Sequence, residues 1–192
     1  GNPDDQVLIP LDEYFTAEEK AAYAPQSIEE GSYKGVFYGP PFMQSCSLMW
    51  YNQELTDAAG IQPPQALADS WTMEDALDAW QKTTVDSDGD GSPDVWGVRW
   101  GQGTWAGDYE QGILRRSAGE KGSPTYAGMG PDGLTFQGYF DTPEAIASMQ
   151  FYQDMHQTWK VTPVEAIPNI FQSKKAAFVV YPDNIIGDIN NQ

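Results

Sequence analysis

The chain has 192 residues, with 28 acidic against 10 basic side chains and a net charge of −18 at neutral pH. That surplus repels phosphate backbones and anionic membranes and so disfavours nucleic-acid binding, while the length allows one sizeable core or two small ones. No apolar run approaches the roughly 20 residues that span a bilayer, and no charged-then-apolar leader is visible, so any export signal is expected to have been removed or to lie outside this sequence.

Cys46 is the only cysteine, which excludes a disulfide within this sequence and cysteine-based zinc sites. Its neighbours Ser45, Ser47 and Leu48 suggest a small buried thiol at the start of a strand. His156, the only histidine, lies in a polar helix end between Met155 and Gln157. It reads as a surface residue rather than as the partner of a catalytic thiol.

In chain order, Thr16 with Glu19 three residues on is a capping box, which predicts a short helix to about Tyr23. Lys34 to Tyr38 reads as a strand ended by Gly39-Pro40-Pro41. The run Ser47-Leu48-Met49-Trp50-Tyr51 lacks alternation and suits a strand buried on both faces. Asn52 caps a helix through Ala59, stopped by Gly60. Ser70 or Thr72 opens another, with Met73, Leu77 and Trp80 on one face.

The acidic stretch Asp86-Ser87-Asp88-Gly89-Asp90-Gly91-Ser92-Pro93-Asp94 follows. Calcium loops use this spacing because a hard cation wants six to eight oxygens, supplied by alternate side chains, with a glycine at position six for the bend. Asp86, Asp88 and Asp90 fill positions one, three and five, Ser92 offers a backbone carbonyl, and Asp94 binds directly or through water. Position twelve is Gly97 instead of the bidentate Glu, and the flanking Val95–Trp100 reads as a strand. A structural calcium staple of weak affinity, on the order of 0.1–1 mM, is therefore expected in place of a sensor hand. A solvated loop of Asx turns without metal is the alternative.

Next come the glycine-rich stretch 101–107 and a helix from about Asp108 to Ser117. The glycines lack the Lys-Ser/Thr ending of a phosphate cradle, and Trp105 would crowd a pyrophosphate. Residues 119–133 read as loop, and Leu134-Thr135-Phe136 as a short strand. Thr142-Pro143-Glu144 starts a helix with Ile146, Met149, Tyr152, Met155 and Trp159 along one face. A short helix around Glu165–Gln172 and a strand Ala176–Val180 close the pattern. Strands alternating with helices predict an α/β domain with a largely parallel sheet flanked by helices.

Five segments, in order, resemble the extracellular solute-binding proteins of ABC importers, the large family that includes the maltose-binding protein. They are Ile9-Pro10-Leu11-Asp12-Glu13-Tyr14-Phe15; Tyr38-Gly39-Pro40-Pro41; Leu48–Leu55 running into Ala59-Gly60-Ile61; Phe140–Ala145 with Phe151-Tyr152; and Phe171–Phe178. The resemblance implies a periplasmic-binding-protein-like fold whose two lobes close on a solute. It assigns residues 1–43 to the remnant of a first lobe and its crossing segment, and 44–192 to most of a second, ligand-half lobe. A fragment is therefore expected. The implied partners are a small-molecule solute, a carbohydrate by preference, and a membrane permease. The implied location is outside the cytoplasm, in a periplasm or on a surface lipoprotein, with the protein a monomer.

A sugar cleft needs aromatic faces for the C–H patches of a pyranose and polar groups for its hydroxyls. Trp100, Trp105 and Tyr109 lie at or after the C-terminal end of a predicted parallel strand, where ligands of open α/β sheets bind, with Gln102, Asp108 and Glu110 nearby. The resemblance places the family's stacking aromatic on the stretch from Trp105 to Tyr109. It puts Ser45 at the position of a cleft carboxylate, and the family's late aromatic near Asn184, so that Tyr181 substitutes. Trp105 and Tyr109 line a cleft on this reading and pack inward on the other. Trp50, Trp71, Trp80 and Trp159 read as core.

No catalytic set is visible, and the chain reads as a binding protein, not an enzyme. Two other classes stay open: a calcium-stapled structural or adhesion module, and a glycan hydrolase. The hydrolase would use Asp108 and Glu110, provided the two acids stand about 5–9.5 Å apart.

Overall fold

The computed structural model of the protein describes residues 8–42, 46–100, 110–182 and 185–190, the last helix with side chains as far as Gly187. It divides the chain into two units, Gly1–Cys46 and Ser47–Gln192. In the first, Thr16 and Glu19 form the expected capping box at the head of α1 (Ala17–Ala21). Pro25 opens α2 (Pro25–Glu30) at its first position, where a missing N–H costs nothing.

Strands β1 (Ser32–Tyr33) and β2 (Val36–Phe37) pair antiparallel. Lys34 is thus in a hairpin turn and not in the strand expected for Lys34–Tyr38. A two-residue hairpin loop of type I′ needs positive φ at both central positions, and Lys34 and Gly35 adopt 52° and 81°. Phe37, 2% exposed, is met edge-on by Phe15 at 5.4 Å. Its amide donates to Asp12, which also pairs with Lys20.

In the second unit, β3 (Ser47–Tyr51) leads into α3 (Gln53–Ala58), capped by Asn52. A 3-10 turn, Leu67–Asp69, precedes α4 (Met73–Thr83). Thr72, not Ser70, is its cap, because Asp75 completes a reciprocal box with it. Then come β4 (Trp96–Arg99), α5 (Gln111–Ala118), α6 (Pro124–Ala127), α7 (Pro143–Gln157), β5 (Ala176–Pro182) and α8 (Ile185–Asn190).

The sheet has the order β3-β5-β4, with β4 parallel and β3 antiparallel to β5. Side chains alternate across it. On one face Val98, Phe178 and Val180 join Trp80, Trp100, Leu114, Met155 and Val161 in the main core, where Trp80 and Trp100 meet edge-on at 5.6 Å. On the other face Val179 packs with Phe171 and Ile185, flanked by Trp50 and Tyr181. Of the four tryptophans read as core, only Trp80 is fully buried; Trp50, Trp71 and Trp159 are half-buried.

Several expectations are corrected. The strand buried on both faces is Ala176–Val180, whereas Ser47–Tyr51 is an edge strand with Leu48 45% exposed. Cys46, expected to be buried, is exposed. Leu134–Phe136 is no strand: Asp132 accepts from Thr135 Oγ1 and from the amides of Leu134 and Thr135. Those bonds, the side-chain one foremost, lower its carboxyl to about 2. Glu165–Gln172 is a run of turns, because Pro168 breaks a helix and Asn169 sits at φ 53°. In α7 the buried face is Ala145, Ser148 and Met155, and Ile146 points to solvent.

Helix α4 lies so close to β4 that a Cβ on Gly97 would stand 2.1 Å from the Trp80 carbonyl oxygen. Gly97→Ala must therefore part the helix from the strand. It is expected to destabilise the fold by about 1–3 kcal/mol, against about 1 kcal/mol for Thr72→Ala through loss of its cap. Urea unfolding midpoints check both. A Gly97→Ala midpoint equal to wild type would mean that the two elements slide apart freely.

Candidate ligand-binding site

Because β4 and β5 run parallel, Arg99 and Tyr181 emerge at one end of the sheet, and β3 brings Ser47 opposite Pro182 there. The Arg99 guanidinium stands over the Tyr181 ring, 4.7 Å from its centroid. Trp50 Nε1 donates to the Tyr181 carbonyl at 3.1 Å and fixes the strand end. Beside them opens a cavity of about 270 Å³, walled by Arg99, Val179 and Tyr181 and by the turns of Ala166–Gln172. Of the expected solute contacts, Tyr181 is therefore at a cavity, half-buried. Ser45, Gln102, Trp105, Asp108 and Tyr109 lie outside the described residues, as does Asn184.

Glu110 is 5% exposed at the head of α5. Burial, and then the Glu110 charge, push the Tyr152 phenol up. His156, read as a surface residue, is half-buried at the edge of the Tyr152 ring, and burial pushes its imidazole down. Trp100, expected at the strand end as a possible stacking face, is 1% exposed and belongs to the core.

The acidic loop is closed by an antiparallel bridge between Val85 and Val95. Inside it the carboxylates fold the backbone. Asp86 accepts from the amides of Gly89 and Gly91 at 2.8 and 2.9 Å. Asp88 accepts from Asp90 N, Asp90 from Ser92 N, and Asp94 from both the amide and hydroxyl of Ser87. Lys160 Nζ donates to the Gly91 carbonyl at 3.3 Å.

One oxygen each from Asp86, Asp88 and Asp94 lies within 4.8 Å of the others. Oxygens bound to one calcium ion at about 2.3–2.6 Å can stand no more than about 5 Å apart, so these three fit a single ion. Asp90 does not join that group; its carboxylate accepts from the Ser92 amide. Of the four expected carboxylate ligands, three are brought together.

The family model of the bacterial extracellular solute-binding proteins matches residues 4–192. The chain belongs to that family. No curated protein matches its sequence. Among solved structures, the maltose/maltodextrin-binding MalE domain of Bdellovibrio bacteriovorus, bound to maltotriose, is similar at 21% identity and a TM-score of 0.68, over 96% of this chain and 43% of that one. An ABC substrate-binding protein of Listeria monocytogenes in complex with cycloalternan gives 20% and 0.67, over 97% and 46%. UgpB of Mycobacterium tuberculosis in complex with glycerophosphocholine gives 16% and 0.70, over 96% and 44%.

The solute-binding chain thus spans less than half the length of these relatives, and at such identities the likeness is one of fold. The fold is periplasmic-binding-protein-like, an α/β unit with helices flanking its sheet. Membership implies an extracytoplasmic location, and no helix among the described residues is long and apolar enough to cross a membrane.

Arg99, Asn169 and Gln172 were missed by sequence reasoning. The one signal for Arg99 was its place in a strand between Val98 and Trp100, a costly position for a cation with no evident partner.

In the acidic loop, the hydrogen bonds from the Ser87 hydroxyl and then its amide hold the Asp94 carboxyl below the usual range, with the Lys175 charge adding to them. A lowered folded-state pKa stabilises the loop above the ordinary carboxylate range, and that contribution is lost as pH falls through the lowered value. Ser87→Ala is expected to move the Asp94 titration midpoint upward, as read by carbon-detected NMR. An unmoved midpoint would assign the shift to Lys175 instead.

Proposed function

We propose that this chain is the solute-contacting part of an ABC importer receptor, which takes up a carbohydrate and presents it to a membrane permease without breaking a bond. The observation that carries this reading is the family match over residues 4–192, supported by two neighbours of the same fold that hold maltotriose and cycloalternan. In this reading the solute lies at the C-terminal ends of β4 and β5. Trp105, Tyr109 and Tyr181 cover its apolar C–H faces, and Ser45, Gln102 and Asp108 bind its hydroxyls. Contacts made on both sides of the solute favour a closed state, and the permease distinguishes closed from open. The receptor works in a periplasm or tethered at the cell surface.

Isothermal titration against a panel of neutral and acidic mono- to trisaccharides tests the reading. Saturable heat is expected for at least one sugar, and Trp105→Ala should weaken its binding about tenfold, the loss of one good stacking contact. Uniformly absent heat overturns it. The hydrolase reading is disfavoured because the family and the neighbours of the same fold are solute-binding proteins.

The acidic loop, in the same proposal, holds calcium through Asp86, Asp88 and Asp94, with water and backbone oxygens completing the shell. What supports it is the closeness of the three carboxylate oxygens and their hard-donor chemistry. Calcium at a few millimolar is expected to raise the melting temperature and a chelator to reverse this, while Asp88→Asn abolishes the response. Melting curves indifferent to both reagents refute a bound ion.

A further inference from the structure

Acids outnumber bases 28 to 10, yet among the described residues only Lys20, Lys82 and Lys174 hold a carboxylate. The buried Arg115 donates to the carbonyls of Thr125 and Tyr126 instead. Arg99 is half-buried at a strand end, and among the described residues it has neither kind of oxygen partner. The Tyr181 ring offsets part of its charge but supplies no oxygen acceptor for its five N–H donors. A partly desolvated guanidinium with no counter-charge among the described residues is a cost the fold sustains.

The cavity beside it is suited to relieve that cost. Its volume of about 270 Å³ is near the lower limit of roughly 300 Å³ for small-molecule sites, enough for one sugar ring or a phosphoglycerol group. The carboxamides of Asn169 and Gln172 also line it, and neither side chain has a hydrogen-bond partner among the described residues. Val179 and Phe171 form its apolar floor.

We infer that the cavity between Arg99, Tyr181 and the 166–172 turns receives an oxyanion group of the solute, a carboxylate or a phosphate carried on a sugar or polyol. The Arg99 fork takes two of its oxygens in a bidentate pair, and Asn169 and Gln172 bond the remaining oxygen and the adjoining hydroxyl. A neutral sugar leaves the guanidinium unpaired, so the site discriminates against it. The long-range field of a net charge of −18 repels anions, and a local fork is what makes an anionic ligand compatible with this surface. This inference rests on the receptor reading above and narrows its solute class.

The experiment is calorimetric titration of the protein with matched pairs: galactose against galacturonate, digalactose against digalacturonate, and glycerol against glycerol 3-phosphate. At least tenfold tighter binding of an acidic member than of its neutral partner is expected, and the arm that shows it identifies carboxylate or phosphate as the source. Arg99→Gln should bring the pair to parity, while Arg99→Lys, which keeps the charge but loses the fork, should retain part of the preference. Should either variant fail to fold, the Arg99 Nε–H resonance of the wild-type protein is read instead, and must shift on adding the acidic ligand and not the neutral one. Neutral sugars bound as well as acidic ones, or a preference that survives Arg99→Gln, overturn the inference and leave the receptor reading intact. Heat from no member of any pair, and from no neutral oligosaccharide, overturns both.

Discussion

Ala176–Val180 is buried on both faces of the sheet, so each of its backbone groups must find a partner within the sheet plane or forfeit a hydrogen bond. β3 supplies one edge and β4 the other, and their opposite directions follow from how the chain arrives. β3 pairs in the register Ser47 with Pro182 to Tyr51 with Phe178, and β4 in the register Val98 with Phe178 and Arg99 with Val179. That central strand assigns the two cores to opposite faces, and it brings the ends of β4 and β5 out together. The candidate site is a by-product of this register: one residue of slip in β4 would turn Arg99 into the tryptophan core.

The core face shows which terms dominate. Trp80 and Trp100 are buried, and neither indole N–H meets an acceptor among the described residues. An unmade bond of that kind costs about 1–3 kcal/mol. Burying an indole of roughly 150–250 Å² is worth about 4–6 kcal/mol. Packing therefore outweighs the orphaned donors, and a close helix is what packing requires. Gly97 lets the α4 backbone approach the strand, and the Thr84 hydroxyl takes the Gly97 amide at 3.0 Å. The same approach clamps the entry of β4, so the strand carrying Arg99 is held firmly at its far end.

What was legible in the sequence was local. Thr16 with Glu19, Asn52 and Thr142 cap the helices expected of them, because a cap is a bond between residues three apart and needs no knowledge of the rest of the chain. Some turn chemistry at short range was misread, at Lys34 and at Asp132, but the error that decided the sheet was non-local. Ser47–Tyr51 and Ala176–Val180 are apolar runs of similar wording, and only the pairing order decides which is central and which is the edge. Glu165–Gln172 carries helix-like composition, yet it serves as a covering turn over Val179, where Pro168 and the left-handed Asn169 keep it from winding. Tyr181 could be proposed from resemblance. Arg99 could not, since its significance arises only when the parallel register sets it beside Tyr181, and when no carboxylate among the described residues comes to meet it.

At the opposite end of β4, the acidic loop is a different electrostatic arrangement. Clustered carboxylates would repel one another if nothing else engaged them, which is why the sequence favours a cation there over a metal-free loop of Asx turns. The structure distributes that charge over backbone amides: Gly89, Asp90, Gly91 and Ser92 all donate to a loop carboxylate, and Ser87 donates twice. The Val85–Val95 bridge fixes both ends. These bonds already turn the backbone about the carboxylates, and a bound cation would add to them by drawing the oxygens of Asp86, Asp88 and Asp94 together. The strand's position, and with it the placing of Arg99 at the cavity, is held by the pairing with β5 and by the Gly97 contact with α4.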